Sequence, residues 1–142
     1  MKRINIILFI ISCLVIFATG CGKKQYPFMQ SVSNIVKIEV IIMGEIHDPY
    51  TKHEYTLIKA LSLNENNKFI DDLKNIECKR MFGDPQTLTT GHQGFKINYS
   101  NGEYEIIAYT AQGEHTNGKY LSNGYYLFDE EQFNDLLEKY SN

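Results

Sequence analysis

Five potential metal ligands cluster between residues 45 and 54. They are Glu45, His47, Asp48, His53 and Glu54. Imidazole and carboxylate groups both suit divalent transition metals, so this segment is the first place to consider metal chemistry. The spacing matches no closed site, and a metal would also need His92 or His115 nearby. Solvated loop histidines are the simpler interpretation, so we expect no metal or other cofactor and keep His47 and His53 as the candidate ligands.

Cys78 is the candidate for thiol chemistry. A nucleophilic cysteine requires a thiolate stabilised by nearby positive charge, which Lys79 or Arg80 could supply. Alternation along residues 77–82 turns Cys78 and Phe82 to the same side, which is more typical of a structural thiol. No nucleophile elbow or phosphate-binding glycine loop is present in the sequence. An exported metal-dependent or thiol enzyme is therefore the alternative, and a binding module is the expectation.

Tyrosines beside a glycine-rich segment form the candidate binding surface. Tyr109, Tyr120 and Tyr125 flank residues 110–118, which contain glycine, asparagine and glutamine. Tyrosines next to adaptable polar residues are typical of recognition surfaces. The alternative is that these tyrosines cover the edge and core of a sheet. As a group they are the predicted contact surface.

The first 20 residues have the form of a secretion signal. Lys2 and Arg3 precede an uncharged, mostly apolar run of 13 residues, from residue 6 to residue 18. A membrane-spanning helix needs roughly 20 apolar residues, so this run is short for a permanent span.

The apolar run ends in Ala18-Thr19-Gly20-Cys21, which resembles the lipobox of bacterial lipoproteins. In that family, small residues precede a cysteine that is acylated and becomes the new N-terminus; Ala18 stands where leucine is usual. The resemblance implies a protein anchored by lipid on Cys21 to the extracytoplasmic face of the cell membrane. Two or three acyl chains hold stably, at about 0.8 kcal/mol per buried methylene. The alternatives are an ordinary cleaved signal or an uncleaved anchor.

Charge and cysteine usage limit the partners. Removal of residues 1–20 takes away two basic residues and no acids, so 14 basic residues fall to 12 against 17 acidic ones, a net charge of −5. Binding to a phosphate backbone needs a basic surface, so nucleic acid is excluded as a partner. We expect membrane lipid through Cys21 and an extracytoplasmic protein or glycan. Cys78 is left alone, so the mature chain has no intrachain disulfide.

The mature chain divides into a lipidated tether, residues 21–34, and a single domain, residues 35–142. The tether carries two lysines and Pro27 without a sustained period. As a flexible coil it would span roughly 20 Å root-mean-square.

Alternating and helical patterns predict the elements that position these side chains. Residues 35–43 alternate as a strand with Val36, Ile38, Val40 and Ile42 inward. Residues 55–61 and 77–82 predict two further strands, and a helix starts at Asn64. Its apolar stripe is Phe69, Ile70, Leu73 and Ile76.

The pair Asn101-Gly102 predicts a type I′ turn that joins the two strands of a hairpin within residues 95–108. This register pairs Tyr99 with Tyr104 inward and Asn98 with Glu105 outward. Residues 125–128 predict a strand paired with 119–121.

The last helix begins after Asp129, which is the predicted N-cap and forms a capping box with Gln132 three residues later. Its stripe is Phe133, Leu136, Leu137 and Tyr140. These elements predict a single α+β domain, with a mostly antiparallel sheet of five or six strands and two amphipathic helices on one face. This order behind a lipobox resembles small uncharacterised lipoproteins of Gram-positive bacteria, and that resemblance implies no activity.

Overall fold

The computed structural model describes residues 25–44, 54–81, 90–108 and 125–142, and these form six strands and two helices. The strands are β1 (Ile35–Met43), β2 (Tyr55–Ala60), β3 (Cys78–Met81), β4 (Gln93–Tyr99), β5 (Tyr104–Ala108) and β6 (Tyr125–Phe128). The helices are α1 (Leu63–Asn75) and α2 (Glu130–Ser141). The predicted α+β class is confirmed.

The six strands form two antiparallel sheets rather than one. Four of them are arranged in the order β2-β1-β4-β5, while β3 and β6 make a separate two-stranded ribbon. In that ribbon Cys78 lies opposite Phe128 and Met81 lies opposite Tyr125. Residues 119–121, which we expected to pair with β6, lie outside the described part of the chain.

Both helices pack on one face of the four-stranded sheet, as predicted. The Phe69 ring of α1 lies 4.5 Å from the Phe95 ring of β4, centroid to centroid. The Phe133 ring of α2 lies 6.0 Å from the same Phe95 ring. The core therefore forms where the two helical stripes meet the inward side chains of β1 and β4, as in other layered folds.

Side-chain caps start both helices. The Ser62 hydroxyl accepts from the Glu65 N–H at 3.3 Å, and the Glu65 carboxylate accepts from the Ser62 N–H at 2.7 Å. These hydrogen bonds lower the Glu65 pKa to about 2. At α2 the predicted cap is present, because the Asp129 carboxylate accepts from the Gln132 N–H at 3.1 Å. The Gln132 side chain does not complete a box there and instead accepts from the Glu77 N–H at 3.1 Å.

One predicted core residue of β1 lies outside. Val36 is 56% exposed because the pairing of β1 with β4 shifts between Ile35 and Lys37, leaving Val36 as the extra residue of a bulge. A second shift, between β1 and β2, leaves Ile58 of β2 without a partner. Bulges have no marker in an alternating pattern, so the sequence did not predict either exposure.

The β4–β5 hairpin has a register one residue away from the predicted one. The Gly102 N–H donates to the Tyr99 carbonyl at 3.0 Å, and Gly102 has a φ of 85°. The loop therefore contains three residues, 100–102, with glycine in the left-handed position, rather than the expected two-residue turn. A slip of one residue moves side chains to the opposite face. Glu105 consequently pairs with Ile97 and points into the core.

The folded domain includes residues from Tyr26 onward that the sequence assigns to the tether. Tyr26 is only 3% exposed and belongs to the same core cluster as both helices. The Asn34 carbonyl also accepts from the Ser100 N–H at 2.8 Å. Single aromatic residues in a polar segment carry no period, so their burial was not predictable. The signal at residues 1–20 and Cys21 lie outside the described residues.

Candidate functional site

Most side chains proposed from the sequence lie outside the part of the chain that the structure describes. These are Cys21, His47, His53, Tyr109, His115 and Tyr120. Tyr125 is placed at the start of β6, but its side chain is not among those described. The glycine-rich contact surface and the histidine cluster therefore stay predictions.

Metal and thiol chemistry gain no support from the described residues. Within ranges 25–44, 54–81, 90–108 and 125–142, no three His, Cys, Asp or Glu side chains are grouped to hold a metal ion. Cys78 is 2% exposed, and burial raises the pKa of its thiol. A raised thiol pKa disfavours the thiolate that a nucleophile requires. Neither helix of the described residues is long and apolar enough to cross a membrane.

The exposed outer edge of the four-stranded sheet is β2, as far as the described residues show. The Met43 N–H donates to the His92 carbonyl at 2.8 Å, and the Met43 carbonyl accepts from the Gly91 N–H at 2.8 Å. The backbone of the next residue, Gly44, points toward β2, because its N–H donates to the Glu54 carbonyl at 2.7 Å. The backbone of Met43 is thus directed to β4 and not to β2.

This alternation decides which backbone groups of β2 point outward. Hydrogen-bonded and non-hydrogen-bonded pairs alternate along antiparallel strands. Tyr55 lies opposite Met43 and Leu57 lies opposite Ile41, so both are in non-hydrogen-bonded positions. Their N–H and C=O groups point away from β1, whereas those of Thr56 bond to β1. The open stretch of edge therefore consists of residues 55–57.

The side chains along this edge are apolar and exposed. Tyr55 is 36% exposed, Leu57 is 49% exposed and Ile58 is 38% exposed. Sheet edges in soluble proteins are usually protected by charges, prolines or covering elements. The one charged residue of β2 is Lys59, whose ammonium group forms an ion pair at 3.1 Å with Glu65 of α1. The Lys59 charge is thus directed toward α1 and does not protect the edge. The bulge at Ile58 interrupts the strand only after the open stretch of residues 55–57.

Lys96 of β4 holds Tyr55 in place. Its ammonium group lies 4.4 Å from the centroids of both the Tyr55 and the Tyr104 rings and donates to the Tyr55 hydroxyl. Lys96 is only 9% exposed, so its hydrogen bond and ring contact hold the Tyr55 side chain against β4. Tyr55 is therefore ordered before any partner arrives, which lowers the entropic cost of binding.

A buried carboxylate lies at the opposite edge strand, β5. Glu105 is 1% exposed and accepts from the Tyr26 hydroxyl at 3.0 Å, from the Met29 N–H at 3.3 Å and from the Tyr99 hydroxyl. Burial raises the Glu105 pKa more than these hydrogen bonds lower it. Burial also raises the pKa of Tyr26, so its hydroxyl stays protonated and donates. Glu105 thereby fastens the N-terminal segment to the sheet.

Neither the open edge of β2 nor the buried carboxylate of Glu105 was predicted from the sequence. Glu105 was expected to face solvent because the turn was assigned two residues instead of three. Strand β2 was predicted, but its place at the edge of the sheet was not. The poor alternation of residues 55–60 was the available signal, since a strand that buries neither face need not alternate.

Comparison of the chain with protein-family models, with curated proteins and with solved structures found no match.

Proposed function

We propose that this protein is a lipoprotein of the extracytoplasmic face of the cell membrane, anchored through Cys21, and that its folded domain is an interaction module. Its partner is an extracytoplasmic protein that pairs an extended segment with the open edge of β2. The observation that carries the binding part of this proposal is the outward backbone of Tyr55 and Leu57 beside their exposed side chains. The lipobox-like residues 18–21 support the anchor.

The backbone groups and side chains of this edge suit the addition of a partner's strand. An added strand gains affinity from main-chain hydrogen bonds and specificity from contacts to alternate side chains. Tyr55 and Leu57 offer four backbone groups, and each hydrogen bond contributes about 1 kcal/mol net. Their side chains share one face of the sheet and add apolar area. These terms favour a reversible complex over a permanent assembly.

A polypeptide matches the edge better than a glycan does. A glycan, which the sequence leaves open as a partner, has no repeating N–H and C=O groups at the spacing of a β-strand. The side chains at the edge are also apolar and uncharged at Tyr55, Leu57 and Ile58. The edge therefore favours a protein segment with apolar residues at alternate positions.

The anchor is tested by changing Cys21. We expect the native chain in the membrane fraction, with a mature N-terminus at Cys21 that carries acyl chains, because the lipid is the only anchor proposed. The Cys21→Ala variant should accumulate as unprocessed precursor that lacks the acyl mass. Intact-mass spectrometry of both fractions measures this, with Cys78→Ala as the matched control that should behave as the native chain does. An unmodified, freely soluble native chain would refute the anchor.

The binding edge is tested by site-specific photo-crosslinking on intact cells. A photoreactive amino acid at position 55 should give a defined protein adduct, whereas the same residue at the exposed position Lys68 of α1 should not. Adding Leu57→Pro should remove the adduct, because proline lacks the outward N–H and leaves the β1 pairing intact. Leu57→Val keeps that N–H and should preserve the adduct. Equal labelling from positions 55 and 68, or an adduct unaffected by Leu57→Pro, would contradict strand addition.

A further inference from the structure

We infer that the partner of the β2 edge is a second copy of this chain in the same membrane, and that the two β2 strands pair antiparallel about Thr56. This inference rests on the proposed strand addition and on the proposed anchor at Cys21, and it names the partner protein. The pairing joins two four-stranded sheets into one continuous sheet.

The backbone of the β2 edge is complementary to itself. Its outward N–H and C=O groups belong to Tyr55 and Leu57, which stand one residue before and one residue after Thr56. In an antiparallel pair centred on Thr56, Tyr55 of each copy therefore lies opposite Leu57 of the other. Residues in a hydrogen-bonded pair exchange both N–H···O bonds, so all the outward groups of both copies are satisfied. A register centred on Tyr55 or on Leu57 pairs only that residue within this stretch.

The side chains of the edge also match across such a pair. Tyr55 and Leu57 share one face of the sheet and are 36% and 49% exposed, so the tyrosine of each copy covers the leucine of the other. Thr56 is exposed on the opposite face and meets its own equivalent at the axis. Facing threonines stabilise a strand pair, and covering the apolar side chains removes them from water.

Charges at the two ends of the edge favour antiparallel over parallel pairing. Glu54 precedes the open stretch and is exposed, whereas Lys59 follows it and lies 3.1 Å from Glu65 of its own chain. Antiparallel pairing about Thr56 brings Glu54 of one copy to the end of the strand at which Lys59 of the other copy lies. Parallel pairing in register places Glu54 beside the same residue of the other copy, and facing like charges destabilise a strand pair.

The small size of this contact makes it depend on the membrane. It involves three residues of each copy, whereas stable interfaces involve about 20–30 residues on each side. Two soluble domains therefore associate weakly, and the edge of the free domain is open. Anchoring in one membrane confines both copies to a thin layer and raises their effective concentration.

The symmetry of the pair is compatible with two anchors in one bilayer. The two-fold axis of an antiparallel pair within one sheet is normal to that sheet, so it does not exchange the two faces. Both helical layers therefore lie on the same side of the joined sheet. Tyr26 packs in the same core cluster as the helices, so both N-terminal segments also lie on that side.

Disulfide trapping in membranes that hold the lipidated protein tests this pairing. Facing residues of a non-hydrogen-bonded pair have Cα atoms about 4.5 Å apart, and a disulfide spans about 4.4–6.8 Å. Thr56→Cys should therefore give a disulfide-linked dimer on oxidation with copper phenanthroline. Ile58→Cys is the matched control on the same edge, because its two copies would lie about 13 Å apart along the strands. Cys78 is buried and common to all variants.

We expect several-fold more linked dimer at position 56 than at position 58. Adding Leu57→Pro should remove the dimer, because proline lacks the outward N–H, whereas Leu57→Val should preserve it. The same Thr56→Cys change in residues 22–142 without the lipid should give several-fold less dimer at equal protein concentration. Equal linkage at positions 56 and 58 would overturn the pairing about Thr56. Equal linkage with and without the lipid would overturn its dependence on the anchor.

The photo-crosslink at position 55 separates this inference from the proposed function. An adduct of twice the chain's mass, made of this chain alone, is the expected result. An adduct with a different protein would overturn the second copy as the partner and leave strand addition standing. Absence of both the adduct at position 55 and the linked dimer at position 56 would refute the two together.

Discussion

Replacing Tyr26 with alanine is expected to lower the free energy of unfolding by about 4 kcal/mol, since large-to-small changes of buried aromatic residues cost about 3–5 kcal/mol. Tyr26 is 3% exposed, and its ring lies against Phe28, Tyr126 and Phe128. Removing the ring empties that space and also takes away one hydrogen bond to Glu105. Urea unfolding of residues 22–142, without the lipid, measures the change.

The matched variant Tyr26→Phe separates the ring from the hydroxyl. It keeps the aromatic contacts and removes one donor to the buried Glu105 carboxylate, so its cost should be about 1–3 kcal/mol. The exposed Pro27→Ala serves as a control that should leave the unfolding free energy within about 0.5 kcal/mol. A loss below about 1 kcal/mol for Tyr26→Ala would mean that the segment is a loose tether after all, as the sequence alone predicts.

Replacing Glu105 with alanine is expected to cost about 3–5 kcal/mol, because it leaves buried donors without their acceptor. Three donors converge on this carboxylate: the Tyr26 and Tyr99 hydroxyls and the Met29 N–H. Each buried donor without a partner costs about 1–3 kcal/mol. The Glu105→Gln variant keeps an acceptor oxygen and the shape of the side chain, so we expect it to be the milder change.

The difference in stability between the native protein and Glu105→Gln should depend on pH with a definite sign. Burial raises the Glu105 pKa in the folded protein, so the folded state holds this proton more tightly than the unfolded state. The stability that this group contributes is fully present below its unfolded pKa, near 4.3, and is lost as the pH rises through the folded pKa. The native protein should therefore gain stability relative to Glu105→Gln as the pH falls from neutral toward about 4.5.

Three other carboxylates contribute to stability with the opposite pH dependence, and their contributions cancel when the native protein is compared with Glu105→Gln. The pKa of Glu39, of Asp72 and of Glu65 is lowered, so their contributions are lost as the pH falls. They are present in both proteins, and the difference between native and Glu105→Gln isolates Glu105. Urea unfolding across this pH range measures it. A difference that is constant, or that grows as the pH rises, would contradict a raised pKa.

The elements with strong periodic patterns were predictable from the sequence. The helices α1 and α2 each have an apolar stripe at helical spacing, and Phe69 and Phe133 from these stripes both pack on the sheet as expected. The cap at Asp129 was also predictable, because its preference depends on local chemistry alone. Local interactions decide such features, so local sequence is sufficient.

The features that decide the site depend on single residues or on distant pairing. One extra residue in the turn moved Glu105 from the solvent side to the core, and one bulge moved Val36 outward. The edge position of β2 follows from the order of four strands, which no local pattern encodes. The candidate surface at Tyr109 and Tyr120 lies outside the described residues and stays a prediction.

Amide hydrogen exchange of the mature domain, measured residue by residue by nuclear magnetic resonance, tests most directly whether the outer edge of β2 is open for a partner. We expect fast exchange at Tyr55 and Leu57, whose N–H groups point outward, and slow exchange at Thr56, whose N–H pairs with β1. Protection of Tyr55 and Leu57 equal to that of Thr56 would show that the edge is already covered and would contradict the proposed binding surface.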